Sequence, residues 1–426
     1  MRVFPMVLVL LTTGCGGSCR RPLPGAGDGG DLDQTALPAA SRDAPPVRTA
    51  CRPLGRQPVP SLEHAADGGL ESLVAAPSDG GVRVLWSTTG SAALRRWSSG
   101  QTAPSSIESG AGERSDPVLA TDGRGAFAAA WVSSRMGARE HMLWTSDVEG
   151  GRCTGAEGRD EGLSLSLAGL ARGWLIAWDE MGPAPAAGSV RVQLASAGPN
   201  GVLCGAQRTI SPAAQDAADP LAVSLPGGRA AVFWLTARDV DATESNDTAT
   251  DVWGVVVGPD GAPVGPPLRV TRTVDHHFGL SALATQDAVW LGLRGGGPSD
   301  SEGRGDGGEV RLVRVDVGPR GLARAGDMAV VSDEGANPTG APRVTRPLTA
   351  GAAAEVWWRE RRGERVEIRH RPVDPGGRPL MPSLPAYIEP AMGAALPSWV
   401  DDRAQAWAVR VEGERAEVAR FACVGP

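Results

Sequence analysis

Alternating apolar and polar residues form short runs along most of the chain, and tight turns separate these runs. One stretch holds four of them in succession: Pro220–Leu225, Ala230–Trp234, Val252–Val257 and Val264–Val270. The first two are joined by a Pro-Gly-Gly turn, and the last two by a Pro-Asp-Gly turn. A period of two predicts β-strands, and a tight turn between two such runs predicts a hairpin. This stretch therefore predicts a four-stranded antiparallel meander.

The turn between the third and fourth runs recurs at nearly regular intervals. Its copies end in glycine at Gly100, Gly151, Gly201, Gly261, Gly321 and Gly377, which are 51, 50, 60, 60 and 56 residues apart. A tryptophan recurs in the second run of each unit, at Trp86, Trp131, Trp178, Trp234, Trp290, Trp357 or Trp358, and Trp407. A turn at such a period indicates a repeat architecture, here of seven units.

The repeated unit predicts how the units are arranged. A lone meander leaves its apolar faces exposed, so it must pack on neighbours, and radial packing of four-stranded sheets gives a β-propeller. We therefore predict an all-β fold over residues 49–426, a seven-bladed propeller of four-stranded antiparallel blades. A β-sandwich does not repeat one turn and one tryptophan seven times. The tryptophans are expected to fill space between blades; the alternative is that they form platforms for sugars.

The two ends of this region predict how the ring closes. The seventh unit runs out at Cys423, where its fourth strand should begin. The segment Thr49–Gly55 is similar to the start of the fourth strands at Arg152–Gly155 and Leu203–Gly205. We therefore expect the N-terminal segment to complete the last blade, with Cys51 cross-linked to Cys423.

The first 15 residues have the features of an export signal. Arg2 precedes the apolar run Val3–Leu11, which is too short to span a bilayer. The next four residues, ending in Gly14 and Cys15, resemble a bacterial lipobox, although the family pattern prefers Leu where this chain has Thr12. The resemblance implies an exported lipoprotein that is held at a membrane by acyl chains on Cys15. Plain secretion, or lipidation at Cys19 instead, are the alternatives.

Residues 16–48 are rich in Gly, Pro, Ala and Asp and lack apolar periodicity, which predicts a flexible tether. Gly16 follows Cys15 where an inner-membrane retention signal would have Asp, and this favours the outer membrane. An oxidising envelope compartment permits disulfides. Cys19 is then the odd cysteine. Cys153 and Cys204 occupy equivalent positions in consecutive blades, but outer strands diverge, so their pairing stays open.

Composition excludes one class of partner. The chain has 426 residues, 41% of them hydrophobic, which is enough for a large core. Its net charge is −7. Without a basic excess the chain is not expected to bind nucleic acid.

Loop lengths point to a binding face. The loops between the second and third strands are longest in units four and five, at 237–251 and 295–309, and they share a face with the linkers between blades. Carboxylates in the first loop and imidazoles in the next linker predict a divalent-cation site. Its candidate ligands are Asp239, Asp241, Asp247, His276 and His277. The alternative is solvated loops beside one packed histidine.

Two functions follow from this pattern. No nucleophile elbow, HExxH motif or tandem CxxC motif occurs in the sequence. The first function is a non-catalytic binding or scaffold propeller for an envelope protein or a glycan. In architecture it resembles exported bacterial lipoproteins with propeller-like repeats, and this resemblance implies no particular activity. The second is a carbohydrate-active hydrolase or lyase that pairs Asp239 or Asp241 with Asp275 on the loop face.

Overall fold

A computed structural model describes most of the repeat region. The chain divides into two units, Met1–Pro46 and Val47–Pro426, and every described residue lies in the second. The described residues are 49–60, 70–78, 81–88, 94–107, 113–122, 124–135, 138–145, 164–180, 188–198, 201–213, 215–238, 249–272, 277–295, 308–363, 365–387, 397–401, 403–412 and 415–424. Within them, no helix is long and apolar enough to cross a membrane.

The described residues form 29 strands in six hydrogen-bonded sheets. The N-terminal strand is β1 (Thr49–Pro58). Sheet 1 consists of β2 (Leu70–Ser78), β3 (Gly81–Thr88), β4 (Leu94–Ser98) and β5 (Ser105–Ile107). Sheet 2 consists of β6 (Glu113–Thr121), β7 (Phe127–Arg135) and β8 (Ala138–Thr145). Sheet 3 consists of β9 (Leu165–Gly169), β10 (Trp174–Glu180), β11 (Ser189–Gly198), β12 (Gly201–Cys204) and β13 (Arg208–Thr209).

The remaining three sheets follow the same antiparallel order. Sheet 4 consists of β14 (Asp216–Leu225), β15 (Arg229–Arg238), β16 (Ala249–Val257) and β17 (Pro263–Arg269). Sheet 5 consists of β18 (His277–Ala284), β19 (Ala288–Gly295), β20 (Glu309–Gly318), β21 (Gly321–Ala325) and β22 (Ala329–Val330). Sheet 6 combines β1 with β23 (Pro338–Thr345), β24 (Ala354–Arg362), β25 (Arg365–Val373), β26 (Leu384–Tyr387), β27 (Pro397–Val400), β28 (Gln405–Glu412) and β29 (Arg415–Val424).

The repeated glycine turns have the backbone conformation that requires glycine. Among the described copies, the glycine that ends each turn has a positive φ, a region that residues with a Cβ rarely adopt. The φ angles are 88° at Gly100, 135° at Gly201, 76° at Gly261, 113° at Gly321 and 83° at Gly377. The repeat in the sequence is therefore a repeat of hairpins in the structure, and the prediction of an all-β propeller is confirmed.

The number of separate sheets differs from the prediction. Seven blades were expected, and the structure has six, because β1 joins two sets of strands into the eight-stranded sheet 6. On one edge β1 pairs antiparallel with β29. On the other it pairs in parallel with β26, through Thr49–Ala386 and Ala50–Tyr387. This short parallel contact links β23–β26 with β27, β28, β29 and β1.

The expected ring closure by the N-terminal segment is confirmed at the level of the backbone. Strand β1 runs along β29 from Ala50, opposite Val424, to Pro58, opposite Glu417. The register places Cys51 directly opposite Cys423. Facing residues of an antiparallel pair have Cα atoms about 4.5–5.5 Å apart, which is within the range of a disulfide. The cross-link itself stays a prediction.

The first strands of the units lie next to one another around a common axis. Contacts run from β2 to β6, β9, β14, β18, β23 and β27 in turn, and β27 contacts β2. Because the strands of each sheet alternate in direction, turns between first and second strands share one face of the ring, here called the hairpin face. The loops between second and third strands share the opposite face, the loop face.

Large apolar side chains fill the interfaces between neighbouring sheets. The second-strand tryptophans are at most 2% exposed in all units but the last: Trp86, Trp131, Trp178, Trp234, Trp290, Trp357 and Trp358. Their predicted role in the core is confirmed. Trp407 differs, because it is only half-buried. The tryptophan row is therefore core everywhere except in the last four strands.

The facing cysteines give a test of ring closure. Replacing Cys51 or Cys423 with Ser should remove a cross-link between the two ends of the domain, which the entropic model values at about 5 kcal/mol for so long a loop. We expect each single variant to lose comparable stability in urea, and the double variant to lose no more than either. Peptide mapping without reductant should recover both cysteines in one linked pair; alkylation of both thiols in the unreduced, denatured protein would disprove the cross-link.

Candidate ligand-binding site

A cavity of about 580 Å³ lies at the axis, at the hairpin-face end of the ring. It touches first strands from three sheets, and the first strands surround the axis. Its lining residues come from β2 (Pro77 and Ser78), β18 (Ala282 and Leu283), β23 (Val344 and Thr345), β27 (Trp399 and Val400) and the segments that follow or pair with them (Gly81, Arg346, Asp401, Arg403, Gln405, Trp407 and Arg420). A concave space with aromatic walls and a few polar groups is the usual form of a small-ligand site.

Two stacked tryptophans form one wall of this axial cavity. Trp399 in β27 faces Trp407 in β28 across the ladder. Their ring centroids are 5.8 Å apart and their planes differ by 12°. Both rings are half-buried and pack on the apolar cluster at the interface with sheet 1. The pair therefore presents aromatic surface to the cavity while the core holds it in place.

Asp401 fixes the orientation of this wall. One carboxylate oxygen accepts the backbone N–H groups of Arg403 and Gln405, both at 2.9 Å, and the other accepts the indole N–H of Trp407 at 2.9 Å. Burial favours the neutral acid, but the Trp407 bond, the two backbone bonds and the charge of Arg403 outweigh it and lower the pKa of Asp401. The carboxylate is thus charged at neutral pH and engaged in holding the turn and the ring.

A buried polar chain supports the neighbouring wall, which β23 forms beside β27. The indole N–H of Trp357 donates to the hydroxyl of Thr345, which lines the cavity, at 3.0 Å. His370 stacks on Trp357 with 4.6 Å between ring centroids, and its Nδ1 lies 2.5 Å from a carboxylate oxygen of Glu355. His370 and Glu355 are at most 2% exposed. Thr345 is therefore held by groups that are themselves fixed in the core.

Arg420 completes a row of side chains across the last strands. It faces Trp407 in the β28–β29 ladder, and its guanidinium carbon lies 5.4 Å from the Trp407 ring centroid. On its other side it faces Gly55 of β1. Facing residues of adjacent strands lie on the same side of a sheet. Trp399, Trp407 and Arg420 therefore form one continuous surface that lines the cavity.

Most of the cation site predicted from the sequence lies outside the described residues. Asp239, Asp241, Asp247 and His276 belong to this undescribed part. His277 is described as the first residue of β18, where it is fully buried rather than placed on a linker. In the part of the chain that the structure describes, no three His, Cys, Asp or Glu residues form a group that could hold a metal ion. The divalent-cation site stays a prediction.

The described loop face contains a second, polar cavity of about 440 Å³, lined by residues 333–337 and 360–363. Asp333 lies at its edge, bonded to Ser383 and paired with Arg371 and Arg369. Burial disfavours its charge, but the Ser383 hydroxyl and the charge of Arg371 outweigh burial and lower the pKa of Asp333. These partners surround the carboxylate, so its role is to join the linker before β23 to sheet 6.

A pair of aspartates links sheets 3 and 4 on the loop face. Asp179 at the end of β10 accepts the backbone N–H of Ser164 at 2.5 Å and that of Asp219 at 3.0 Å. Asp219 has a φ of 52° and lies in a bulge of β14 between Ala218 and Leu221. Burial raises the pKa of Asp179 to about 6; its backbone hydrogen bonds oppose this, and the charge of Asp219 adds to it. A carboxyl with this pKa changes charge near neutral pH.

The other predicted site residues are described only in part. Cys204 is disulfide-bonded, but Cys153 lies outside the described residues, so the partner predicted for Cys204 is untested. Cys15 and Asp275 also lie outside them.

The sequence prediction missed the axial cavity. One signal pointed to it: in the predicted units only the last has a tryptophan, Trp399, in its first strand as well as in its second. The repeated core position uses one tryptophan, in the second strand. A second tryptophan that faces it from the first strand is therefore not explained by the repeated core.

No known family model and no curated protein matches the chain. Among solved structures it is similar to a variant of the α-L-arabinofuranosidase Arb93A from Fusarium graminearum in complex with an iminosugar inhibitor, at 9% identity and a TM-score of 0.47, covering 87% of this chain and 97% of that one. It is also similar to the β-propeller domain of the Trilobed protease from Pyrococcus furiosus, at 10% identity and a TM-score of 0.46, covering 83% and 93%. A third similar structure is a subtype N10 neuraminidase-like protein of A/little yellow-shouldered bat/Guatemala/060/2010, at 8% identity and a TM-score of 0.42, covering 72% of this chain and 94% of that one. Similarity at this level says nothing about a substrate or a reaction of this chain.

The raised pKa of Asp179 predicts a pH-dependent stability. The folded protein keeps the proton up to about pH 6, whereas an ordinary aspartate loses it near 3.8. The protonated Asp179 therefore stabilises the folded state fully below pH 3.8, and this stabilisation is lost as the pH rises through about 6. The pKa shift of about two units corresponds to a loss of about 3 kcal/mol in the free energy of unfolding. Urea unfolding between pH 4 and 7 should show this decline, and Asp179→Asn should flatten it. Equal slopes in the two proteins would contradict the assignment.

Proposed function

We propose that the protein is a non-catalytic binding propeller whose axial cavity takes a glycan. The observation that carries this proposal is the half-buried stacked pair Trp399 and Trp407 within a cavity of about 580 Å³. Aromatic faces bury the apolar C–H faces of sugar rings, while polar groups at the edge exchange hydrogen bonds with hydroxyls. Gln405, Arg403 and Arg420 supply such groups in the same cavity.

The cavity offers no support for the hydrolase alternative. Glycoside hydrolysis normally needs two carboxyl groups about 5–10 Å apart. Among the described lining residues Asp401 is the only carboxylate, and it is bonded to Trp407 and to two backbone N–H groups. Its lowered pKa also makes it a poor proton donor.

The proposed location rests on the sequence. Lipidation at Cys15 and the tether of residues 16–48 would hold the binding domain at the cell envelope, on the outer membrane, with an envelope protein or glycan within reach. Release by plain secretion is the alternative.

We also propose that sheet 6 works as two blades, which gives a ring of seven modules. Its two halves are joined through β1 and β26 by only two facing pairs of residues. An apolar cluster that includes Trp357 and Phe421 lies between the halves, as comparable clusters lie between the separate sheets.

Lipidation can be tested by labelling the full chain in a bacterial host with a palmitate analogue. We expect label and membrane association in the wild type and in Cys19→Ser, and neither in Cys15→Ser. Unlabelled, released wild-type protein would support secretion, and loss of label in Cys19→Ser would place the anchor at Cys19.

Replacing Trp399 with Leu tests the glycan site. Leu keeps an apolar contact with Trp407 but removes the flat face, so we expect affinity for any glycan bound on an array to fall at least about tenfold. Trp253→Leu is the matched control, because Trp253 is also partly buried but lies in sheet 4, outside the cavity. A wild-type protein that binds no glycan, or an equal loss in both variants, would refute the site.

A further inference from the structure

The charges in the axial cavity are unequal. Three arginines line it, Arg346, Arg403 and Arg420, against the single carboxylate of Asp401 among the described lining residues. The oxygens of Asp401 already accept three hydrogen bonds. Arg346 and Arg403 are exposed, and Arg420 is half-buried. The described side chains that line the cavity therefore carry a net positive charge beside its aromatic wall, although the whole chain is negative.

The repeat shows what is different about Arg420. In four other units an arginine also faces a second-strand tryptophan, and three of these arginines are paired with acids. Arg191 faces Trp178 and binds Glu180 at 2.6 Å. Arg314 faces Trp290 and binds Asp316 at 2.5 Å and Asp287 at 3.2 Å. Arg369 faces Trp358 and is paired with Asp333 at 3.3 Å and with Glu360 at 3.5 Å. The fourth, Arg95, is exposed and donates to the hydroxyl of Ser106 at 2.7 Å.

Arg420 has the same place in the last unit. Its guanidinium lies over Trp407 at 5.4 Å, much as that of Arg314 lies over Trp290 at 5.9 Å. Within the described part of the chain Arg420 forms no ion pair with an acidic side chain. A half-buried guanidinium that lacks a carboxylate partner among the described residues is a favourable place for the carboxylate of a ligand.

We propose that the ligand is an acidic glycan whose sugar carboxylate is bound by Arg420 while a sugar ring stacks on Trp399. The inference rests on the proposed function and names its ligand class. A guanidinium is a flat fork of donors that matches the two oxygens of a carboxylate. Its contact with the Trp407 face holds that fork in place beside the aromatic wall. Arg403 and Arg346 extend the positive surface for further acidic residues of the same chain.

The test compares two ligands that have the same sugar backbone and differ in whether their carboxyl groups are charged or methyl-esterified. The probes are an oligogalacturonate and the same oligomer fully methyl-esterified, titrated calorimetrically into the full-length protein. We expect the free acid to bind at least about tenfold more tightly than the ester, because a charged hydrogen-bonded pair is lost in the ester. Raising the salt from low to high ionic strength should narrow this difference. A third probe, titrated in parallel, is an oligosaccharide of neutral sugars that carries sulfate esters and no carboxylates. It separates recognition of a carboxylate from general binding of anions.

Variants of the lining arginines test which side chain causes the difference in affinity between the free acid and the ester. Arg420→Gln should reduce acid binding about tenfold and leave ester binding unchanged, while Arg314→Gln, the matched arginine outside the cavity, should change neither. If Arg420→Gln fails to fold, the exposed Arg403→Gln is expected to reduce acid binding in the same direction.

Each outcome decides a separate point. Equal binding of acid and ester, with both weakened by Trp399→Leu, overturns the acidic-glycan inference and leaves the glycan site standing. Sulfated oligomer binding as tightly as the free acid overturns carboxylate recognition. Acid binding that neither arginine variant weakens overturns the assignment to this cavity. If none of these oligomers binds and the glycan array also shows no bound glycan, the proposed function itself fails.

Discussion

The antiparallel pairing of β1 with β29 is the contact on which the rest of the structure depends. It joins the start of the domain to its end and completes the last four strands, so that the first strands can surround the axis. It also affects the cavity directly, because Gly55 of β1 faces Arg420, which faces Trp407, which faces Trp399. Without β1, the strand that carries Arg420 would be an unpaired edge. Ring closure and the candidate site therefore share one row of residues.

Within this ring, the candidate site lies where one unit departs from the repeat. The tryptophan that fills the interfaces elsewhere is half-buried at Trp407 and gains a stacked partner in Trp399. The arginine that is paired with two acids at Arg314 has, at Arg420, no acidic partner among the described residues. The hydrogen bonds that Asp401 makes to its turn also orient the Trp407 ring. A core position thus becomes part of the cavity wall through changes in a few neighbours, with the same strand arrangement.

Sequence reasoning predicted the local structure well, because local structure depends on neighbours along the chain. Alternation located the strands, and the turn glycines proved to need a positive φ, as at Gly261 and Gly377. The similarity of Thr49–Gly55 to other fourth strands predicted the closing strand. The short parallel contact of β1 with β26 left no such pattern, so the count of sheets was wrong. The cavity was also missed, because it is lined together with Trp407 by residues such as Ser78 and Leu283, which are distant from it in sequence.

Amide hydrogen exchange along β1 tests the central claim most directly. If β1 is an integral strand of the closed ring, the amides of β1 that bond to β29 should be as protected as those between β28 and β29, and should exchange with them in one cooperative event. Amides of β1 that exchange orders of magnitude faster, while β28 and β29 stay protected, would show that the ring holds together without this strand and would contradict the claim.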